Sequence, residues 1–302
     1  MENLIIVVLF VLLGMSFQRL DAFPRDSAQT LNMFVLYVSL PALILVKVPK
    51  IVFSREVMVP ALVAWGLLLF SAALVLLAAR VWRWQRSIVG VLLLAVPLGN
   101  TGFVGIPIVQ AIFGEAGIPY LIIYDQLGTV MILSTYGSLI LAIYGRDSSL
   151  NLPAIARRML LFPPTIAFAI GLAARNWTYP AKLEQGLQNV SLTLVPLVMT
   201  AIGFQLRLRL PSRVLFPLGF GLGVKLLAAP MTVLMVCRLA GLSGRGVNVS
   251  IIEAGMPPMV MAGALAVMAG MDAELAIAIV GVGIVISIAT LPVLYWLVQP
   301  FL

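Results

Sequence analysis

The sequence predicts an all-α integral membrane protein of ten transmembrane helices, arranged as two inverted five-helix repeats. Three observations support this prediction. Of the 302 residues, 62% are hydrophobic and only 10% are charged, whereas soluble domains carry about 25% charged residues. The apolar residues form ten runs that are long enough to cross a bilayer. Prolines and arginines recur in the two halves of the chain at a nearly constant separation.

The ten apolar runs are numbered in chain order. A membrane-spanning helix needs about 20 mostly apolar residues. The runs cover residues 3–19, 28–46, 57–79, 87–112, 117–144, 158–175, 185–206, 213–238, 246–270 and 273–298. Run 1 has no basic residues before it and no small-residue cleavage motif after it, so we interpret it as a membrane helix and not as a signal peptide.

Five pairs of residues indicate an internal repeat. The pairs, with their separations in residues, are Pro41 and Pro196 (155), Pro60 and Pro217 (157), Pro97 and Pro257 (160), Arg80 and Arg238 (158), and Arg86 and Arg245 (159). We predict a first repeat at 1–146, a linker at 147–157 and a second repeat at 158–302. Because five helices are an odd number, the second copy would enter from the opposite face, as in many secondary transporters. The alternative is coincidence among the 19 prolines and 19 basic residues.

The basic residues predict the orientation. Gaps after odd-numbered runs hold 11 Lys and Arg residues, and the opposite side holds 7. The positive-inside rule therefore places both termini outside and the linker in the cytoplasm. Since these residues lie in short gaps, the net charge of +8 indicates no nucleic-acid partner. The chain has no histidine and one cysteine, Cys237, and lacks the commonest catalytic and metal-binding groups, so we predict that it is not an enzyme and has no cofactor.

Runs 4 and 9 contain dense groups of helix-breaking residues. Residues 97–107 include two prolines and three glycines, and residues 255–258 read Gly-Met-Pro-Pro. Corresponding breaks in the two halves of a transporter mark its substrate site, and half-helix N-termini attract anions. We predict that an anion binds at Asn100, Thr101, Gly102, Pro257, Pro258 and Met259. The alternatives are simple proline kinks, with Asn100 serving only to cap a half-helix.

Three ionisable residues, Asp125, Lys225 and Glu253, lie well inside runs. A charge at the centre of a membrane helix costs about 3 kcal/mol, so such residues usually face a cavity and have a partner. We predict that Lys225 contributes to substrate binding and that Glu253 or Asp125 carries a coupling proton or helps to hold Na⁺. The Na⁺ would lie near Asn100 and Glu253. The alternative is a structural ion pair of Lys225 with either carboxylate.

Three short motifs resemble the auxin efflux carrier family of membrane transporters. They are GNTGFVGIP at 99–107, YDQ at 124–126 and SLPA at 39–42. The resemblance implies the inverted-repeat fold that this family shares with sodium–bile acid symporters, with runs 4 and 9 crossing near the midplane. It implies a scaffold of runs 1, 2, 6 and 7 and a transport domain of runs 3–5 and 8–10 that moves as an elevator. Asn100 would be the crossover asparagine and Pro257 the crossover proline.

The same resemblance implies a substrate and a setting. Family substrates are organic anions, namely indole acetate in plants and malonate- or malate-like carboxylates in bacteria. The chain lacks the long loop of plant members and has no asparagine beside the second break, so we expect a bacterial member in the inner membrane. We expect a homodimer that carries small organic anions by alternating access, in symport with H⁺ or Na⁺. The alternative is a membrane sensor or scaffold protein without transport.

Overall fold

A computed structural model describes residues 2–20, 22–24, 26–52, 54–146, 157, 161–205 and 212–299. Within these ranges the chain is helical and contains no β-sheet. The helices are α1 Glu2–Phe17, α2 Ser27–Lys50, α3 Arg55–Trp82, α4 Arg86–Ala95, α5 Thr101–Ala116, α6 Ile118–Tyr144, α7 Pro163–Ala173, α8 Ala181–Gln205, α9 Ser212–Leu239, α10 Arg245–Ala254, α11 Val260–Met268 and α12 Ala273–Val298. All but residue 157 of the predicted linker lies outside the described residues.

Six of these helices, α2, α3, α6, α8, α9 and α12, are long and apolar enough to cross a membrane. Leu62, Leu69 and Leu76 lie one heptad apart on α3 and leave 70%, 71% and 49% of their surface outside the protein. A stripe of this kind is stable against lipid and would be costly in water. These helices are those of an integral membrane protein.

Each of the ten predicted runs contains a helix, and runs 4 and 9 contain two each. Run 4 is divided into α4 and α5, and run 9 into α10 and α11. Ten crossings in an inverted arrangement stay a prediction, as do the boundaries of the two repeats.

The helices pack in two groups. The first group comprises α1, α2, α7 and α8, and the second comprises α3, α4, α6 and α9–α12, while α5 contacts both groups. Within the first group, a β-carbon on Gly14 of α1 would lie 2.1 Å from the carbonyl oxygen of Thr200 in α8. The two backbones touch there because Gly14 has no side chain.

Polar contacts distinguish the two ends of the bundle. At one end, Lys47 pairs with Glu115, Lys50 pairs with Glu184, and the backbone nitrogen of Gly246 donates to Glu56 Oε1 at 3.1 Å. At the other end, Arg213 Nη2 contacts Asp272 Oδ2 at 2.6 Å, the Arg146 nitrogen donates to the Ala269 carbonyl at 2.9 Å, and Trp82 stacks edge-on against Phe216. The described residues that border the gaps after runs 2, 4, 6 and 8 therefore share one end, and those that border the gaps after runs 3, 5, 7 and 9 share the other.

Candidate functional site

The site is formed where two interrupted helices cross. Residues 96–100 separate α4 from α5, and residues 255–259 separate α10 from α11. The two unwound segments pair side by side, with an antiparallel bridge between Gly99 and Pro258. The Asn100 nitrogen donates to the Pro257 carbonyl at 2.8 Å, and the Met259 nitrogen donates to the Leu98 carbonyl at 2.9 Å. Each segment thus satisfies backbone groups that lipid could not satisfy.

The close approach of the segments depends on small residues around them. A β-carbon on Gly283 of α12 would lie 2.6 Å from Pro258 Cδ, so only glycine fits at this point of α12. Asn100, Thr101, Pro257 and Pro258 all lie at the crossing, and all four are buried. Met259 immediately precedes α11 as its N-cap.

Each of the three ionisable residues predicted inside the membrane lies against a different glycine of residues 99–105, which include the end of the first break and the start of α5. A β-carbon on Gly99 would lie 3.1 Å from Lys225 Nζ, and one on Gly102 would lie 3.8 Å from Asp125 Oδ1. At Gly105, a β-carbon would lie 2.5 Å from Glu253 Oε1. Gly105 therefore makes room for the Glu253 carboxyl. A β-carbon at Gly99 would be tight against Lys225 Nζ, and one at Gly102 would be in ordinary contact with Asp125.

Asp125 is fully partnered. Thr101 Oγ1 donates to Asp125 Oδ1 at 2.5 Å, and Gln126 Nε2 donates to Asp125 Oδ2 at 2.7 Å. Asp125 and Gln126 belong to a π-helical stretch of α6, Tyr124–Val130. These bonds fix the first residue of α5 against α6.

Glu253 is in the opposite situation. It is 0% exposed, and neither of its carboxyl oxygens has a hydrogen-bond partner among the described residues. Asn100 Nδ2 and Gln126 Oε1 are also buried there without partners. Buried polar atoms are nearly always hydrogen-bonded, so a group of unpaired ones calls for an explanation such as a bound ligand, ion or proton.

Lys225 is 2% exposed and lies in the π-helical stretch Val224–Ala228 of α9. Neither Asp125 nor Glu253 lies within 4.0 Å of its ammonium group, so the direct ion pair considered as an alternative is not formed. Both groups border the same stretch of chain, Lys225 Nζ at Gly99 and Glu253 Oε1 at Gly105.

The structure brings together all the residues that the sequence singled out, with one addition. Gln126 was noticed only as part of the YDQ motif, yet its amide holds Asp125 and leaves one oxygen unpaired. The sequence feature that could have identified Gln126 is its position next to an intramembrane aspartate.

No group of three or more His, Cys, Asp or Glu side chains suited to a metal ion occurs in the described part of the chain. The predicted Na⁺ near Asn100 and Glu253 would therefore need backbone and amide oxygens as further ligands.

An integral membrane protein with two broken helices that cross at a buried polar site has the architecture of a membrane transporter. The family model described as "Membrane transport protein" matches residues 1–295 of this chain. The chain belongs to this family, which is the auxin efflux carrier family that its motifs resemble.

Two relatives agree with this assignment. The chain is 27% identical over 299 residues to an uncharacterized transporter of Methanothermobacter thermautotrophicus, with 96% of each chain covered. It is 27% identical over 289 residues to an uncharacterized transporter of Methanocaldococcus jannaschii, with 91% of each covered. The protein is a membrane transporter and not an enzyme. Both relatives are archaeal, and a bacterial source for this chain stays a prediction.

Proposed function

We propose that this protein is a secondary active carrier of small organic anions, such as carboxylates or auxin-like acids. It binds its substrate where α4–α5 and α10–α11 cross and works by alternating access. The observation that carries the proposal is the buried crossing itself, which combines paired main-chain segments with unpaired polar side-chain atoms. Four of the six buried side-chain N and O atoms that lack a partner among the described residues belong to Asn100, Gln126 and Glu253, and such a concentration is typical of a site for water, an ion or a ligand.

The anion would bind at the N-terminal ends of the second half-helices. α5 begins at Thr101 and α11 at Val260, and each presents free N–H groups and a positive dipole end. The unpaired amide group of Asn100 supplies a further donor. The substrate-binding set is therefore Asn100, Thr101, Gly102, Pro257, Pro258 and Met259, with the charge of Lys225 nearby.

Two cavities border the second half-helices, and neither includes a residue of the substrate-binding set. One of about 300 Å³ is bounded by α1, α5 and α8 and includes Gln110 and Ser191. The other, of about 330 Å³, is bounded by α8, α11 and α12 and includes Gln205 and Gly263. Both are at the lower end of the size range of small-molecule sites. Each cavity borders a different second half-helix, as expected if substrate reaches the crossing alternately from the two ends.

Glu253 is the better placed of the two predicted coupling residues. Its oxygens are free to take up a proton or to help bind Na⁺, and burial of a carboxyl favours the uncharged or compensated form. Asp125 already accepts hydrogen bonds on both oxygens. We therefore assign coupling to Glu253 and give Asp125 a supporting role at the start of α5.

The packing of the helices in two groups supports a division of the protein into a scaffold and a moving transport domain. The first group (α1, α2, α7 and α8) would be the scaffold, and the second group with α5 would move as an elevator. The chain would form ten crossings in two inverted repeats and assemble as a homodimer through the scaffold. It would lie in a cytoplasmic membrane with both termini outside.

The test is transport by the purified protein in proteoliposomes. A thermal-shift screen of mono- and dicarboxylates first identifies ligands, because binding to the native state raises Tm. A ligand that raises Tm should then exchange across the vesicle membrane in a counterflow assay. Asn100→Ala should abolish the Tm shift and the counterflow, while Asn176→Ala, outside the crossing, should retain both. Binding without counterflow in the wild-type protein would instead identify a membrane sensor.

A further inference from the structure

Four aromatic rings form a cluster where the end of α3 meets the start of α9. The rings of Trp82 and Trp84 stack with their centroids 5.5 Å apart. Phe216 and Phe220 of α9 lie edge-on against both, with centroids 4.9–6.0 Å from the indole rings. Trp82 and Phe216 nevertheless remain 47% and 55% exposed. Exposed tryptophans at the end of a membrane helix are typical of the interface with lipid headgroups.

The residue between the two tryptophans has an unusual backbone conformation. Arg83 has a φ of 51°, and it is the only residue other than glycine with a positive φ among the described residues. The Trp84 nitrogen donates to the Ala79 carbonyl at 3.2 Å, as in the common helix end that has glycine in the left-handed position. Because this conformation is strained for a residue with a side chain, glycine would be more stable here than Arg83.

The end of α9 has the same main-chain geometry with different side chains. The Leu242 nitrogen donates to the Cys237 carbonyl at 2.8 Å, and Gly241 has a φ of 65°. Each of these residues follows its equivalent at the end of α3 by 158 positions, the offset at which an arginine recurs in the two helices. Here, at the opposite end of the bundle, Ala240 and Leu242 replace the tryptophans and glycine replaces Arg83. The helix end itself therefore requires neither the arginine nor the rings.

The positive charge beside the aromatic cluster is not compensated within the described part of the chain. Arg80 and Arg83 are both exposed, and neither forms an ion pair with a described acidic residue. Asp272 and Glu274, at the same end of the bundle, both face Arg213, at 2.6 and 3.6 Å. The end of α3 thus presents two cations beside exposed rings.

An apolar surface continues from this cluster along α3. Leu76, Leu77 and Val81 are 49%, 61% and 64% exposed, so this part of the helix faces lipid. Cations at the interface, exposed rings next to them and an apolar surface beyond are complementary to a molecule with an anionic headgroup and hydrocarbon chains. Basic residues close to a membrane surface attract anionic lipids in particular.

We propose that the end of α3 is a binding site for one anionic phospholipid. Its phosphate lies between Arg80 and Arg83, its glycerol region packs on Trp82 and Phe216, and its chains follow the exposed apolar side chains of α3. Binding of the lipid offsets the strain at Arg83 and joins the end of α3 to the start of α9. The site is separate from the crossing, so the proposal does not depend on which substrate is carried.

The experiment measures the Tm of the purified protein in a neutral detergent with added phosphatidylglycerol or phosphatidylcholine. We expect phosphatidylglycerol to raise the Tm with saturation and phosphatidylcholine to have little effect, because a ligand of the native state raises Tm. Arg80→Gln and Arg83→Gly should each raise the phosphatidylglycerol concentration at half of the shift by about fivefold, the equivalent of about 1 kcal/mol for each basic residue. The matched control is Arg55→Gln, since Arg55 is also exposed but lies at the other end of α3, and it should keep the wild-type response.

Arg83→Gly also separates lipid binding from folding. Because glycine adopts the left-handed conformation without strain, this variant should have at least the wild-type Tm in phosphatidylcholine while it loses affinity for phosphatidylglycerol. Arg83→Lys keeps the charge and should keep the response. If Arg83→Gly is instead less stable than the wild type in phosphatidylcholine, the arginine serves the helix end itself and the proposal is wrong.

Three further outcomes would overturn the proposal. Equal Tm shifts with the two lipids would show that the headgroup is not recognised. An equal shift with soluble glycerol phosphate would indicate a site for free anions and not for a lipid. An unchanged response in a protein that carries both Arg80→Gln and Arg83→Gly would place the lipid elsewhere, and if this double variant does not fold, the two single variants decide in the same way.

Discussion

The side-chain oxygens of Ser39 and Thr193 lie 2.7 Å apart, although the two residues are 154 positions apart in the chain. Thr193 Oγ1 donates its proton to the Val190 carbonyl at 2.7 Å, so Ser39 is the donor between the two hydroxyl groups. The bond joins α2 to α8, and the separation of 154 is almost the offset at which prolines recur between the two halves. Ser39 and Thr193 therefore occupy nearly equivalent places in the proposed repeats.

The two residues that are paired at the crossing also occupy nearly equivalent places in the proposed repeats. Gly99 and Pro258 are 159 residues apart, again close to the repeat offset. A twofold rotation carries each residue onto its equivalent, and two equivalents can touch only near the rotation axis. Two such contacts, one in each helix group, define a line through the molecule and support the proposed inverted repeats.

The hydroxyl pair can be tested by a double-mutant cycle. Thr193→Ala should lower the free energy of unfolding by about 1–3 kcal/mol, because it leaves the buried Ser39 hydroxyl without its acceptor, whereas Ser39→Ala should cost only about 0.5–1.5 kcal/mol, because Thr193 keeps its bond to Val190. The double variant should lose less than the sum of the two. Ser16→Ala is the control, since Ser16 is exposed and bonds only within its own helix. Strict additivity in chemical unfolding would show that the two hydroxyl groups are not coupled.

Glu253→Gln should abolish coupled uptake while the protein stays folded. The amide has nearly the same shape as the carboxyl but cannot take up a proton or compensate a cation. Uptake into proteoliposomes, measured with and without gradients of pH and sodium, provides the readout, and Tm monitors folding. Glu184→Gln, at an exposed ion pair, should behave as the wild type does. Unchanged gradient dependence in Glu253→Gln would remove the coupling role from this residue.

Gly105→Ala should destabilise the protein by about 1–3 kcal/mol, as expected for overpacking. Its new β-carbon would lie 2.5 Å from Glu253 Oε1, and Glu253 has no exposed space into which to move. Gly66→Ala is the matched control, because a β-carbon there meets nothing within 4 Å. Removing glycine from the interior of a helix should make the control slightly more stable. Equal Tm values for the two variants would contradict the packing of Glu253 against Gly105.

Thr101→Val should weaken ligand binding and also lower the stability of the fold, because Asp125 loses one of its two hydrogen bonds. Valine keeps the shape of threonine but removes the hydroxyl group that donates to Asp125 at 2.5 Å, so the first turn of α5 loses its attachment to α6. We expect a loss of about 1–3 kcal/mol in binding, which is a Kd higher by about 5- to 150-fold. Thr135→Val removes a hydroxyl that bonds only to the preceding turn and should leave Kd unchanged. A normal Kd for Thr101→Val in the thermal-shift assay would argue against an anion site at this helix end.

Glu115→Gln should increase the rate of transport with little change in Tm. Lys47 and Glu115 join α2 of the scaffold group to the end of α5, and the exposed fractions of their side chains are 18% and 57%. Partly exposed ion pairs contribute only about 0–1 kcal/mol to stability, but this one must break if α5 moves relative to α2. Glu184→Gln removes the neighbouring pair, Lys50–Glu184, which lies within the first group, and should leave the rate unchanged. Equal effects of the two variants would refute a movement between the groups.

The sequence predicted the helical class, the breaks and the intramembrane charges, because each depends on residue type and local order. Proline, glycine and an isolated Glu253 can be recognised without knowing what surrounds them. The pairing of Lys225 with Gly99, and of Glu253 with Gly105, could not be predicted. Those contacts depend on how α9 and α10 approach the first break, which no local pattern specifies.

The different surroundings of Asp125 and Glu253 could not be predicted from the sequence either. Both are single carboxyls inside apolar runs, and sequence reasoning treated them as interchangeable. Only their partners in the folded structure distinguish them. Thr101, which donates to Asp125, is 24 residues from it in the chain and 2.5 Å from it in space. Both residues were identified because charges inside membrane helices usually mark a site. Their different hydrogen-bond partners then assign them different roles.

The crossing is held by main-chain groups, since Asn100 N bonds to Pro257 O and Met259 N bonds to Leu98 O. Substituting Asn100 or Met259 by any residue except proline leaves these four atoms in place. Except where only glycine fits, as at Gly105 and Gly283, the side chains around the crossing are therefore free to change during evolution without loss of its geometry. A single ancestral crossing could in this way give rise to carriers for chemically different cargo, each produced by exchanging a few polar groups on a frame held by main-chain bonds and a few fixed glycines.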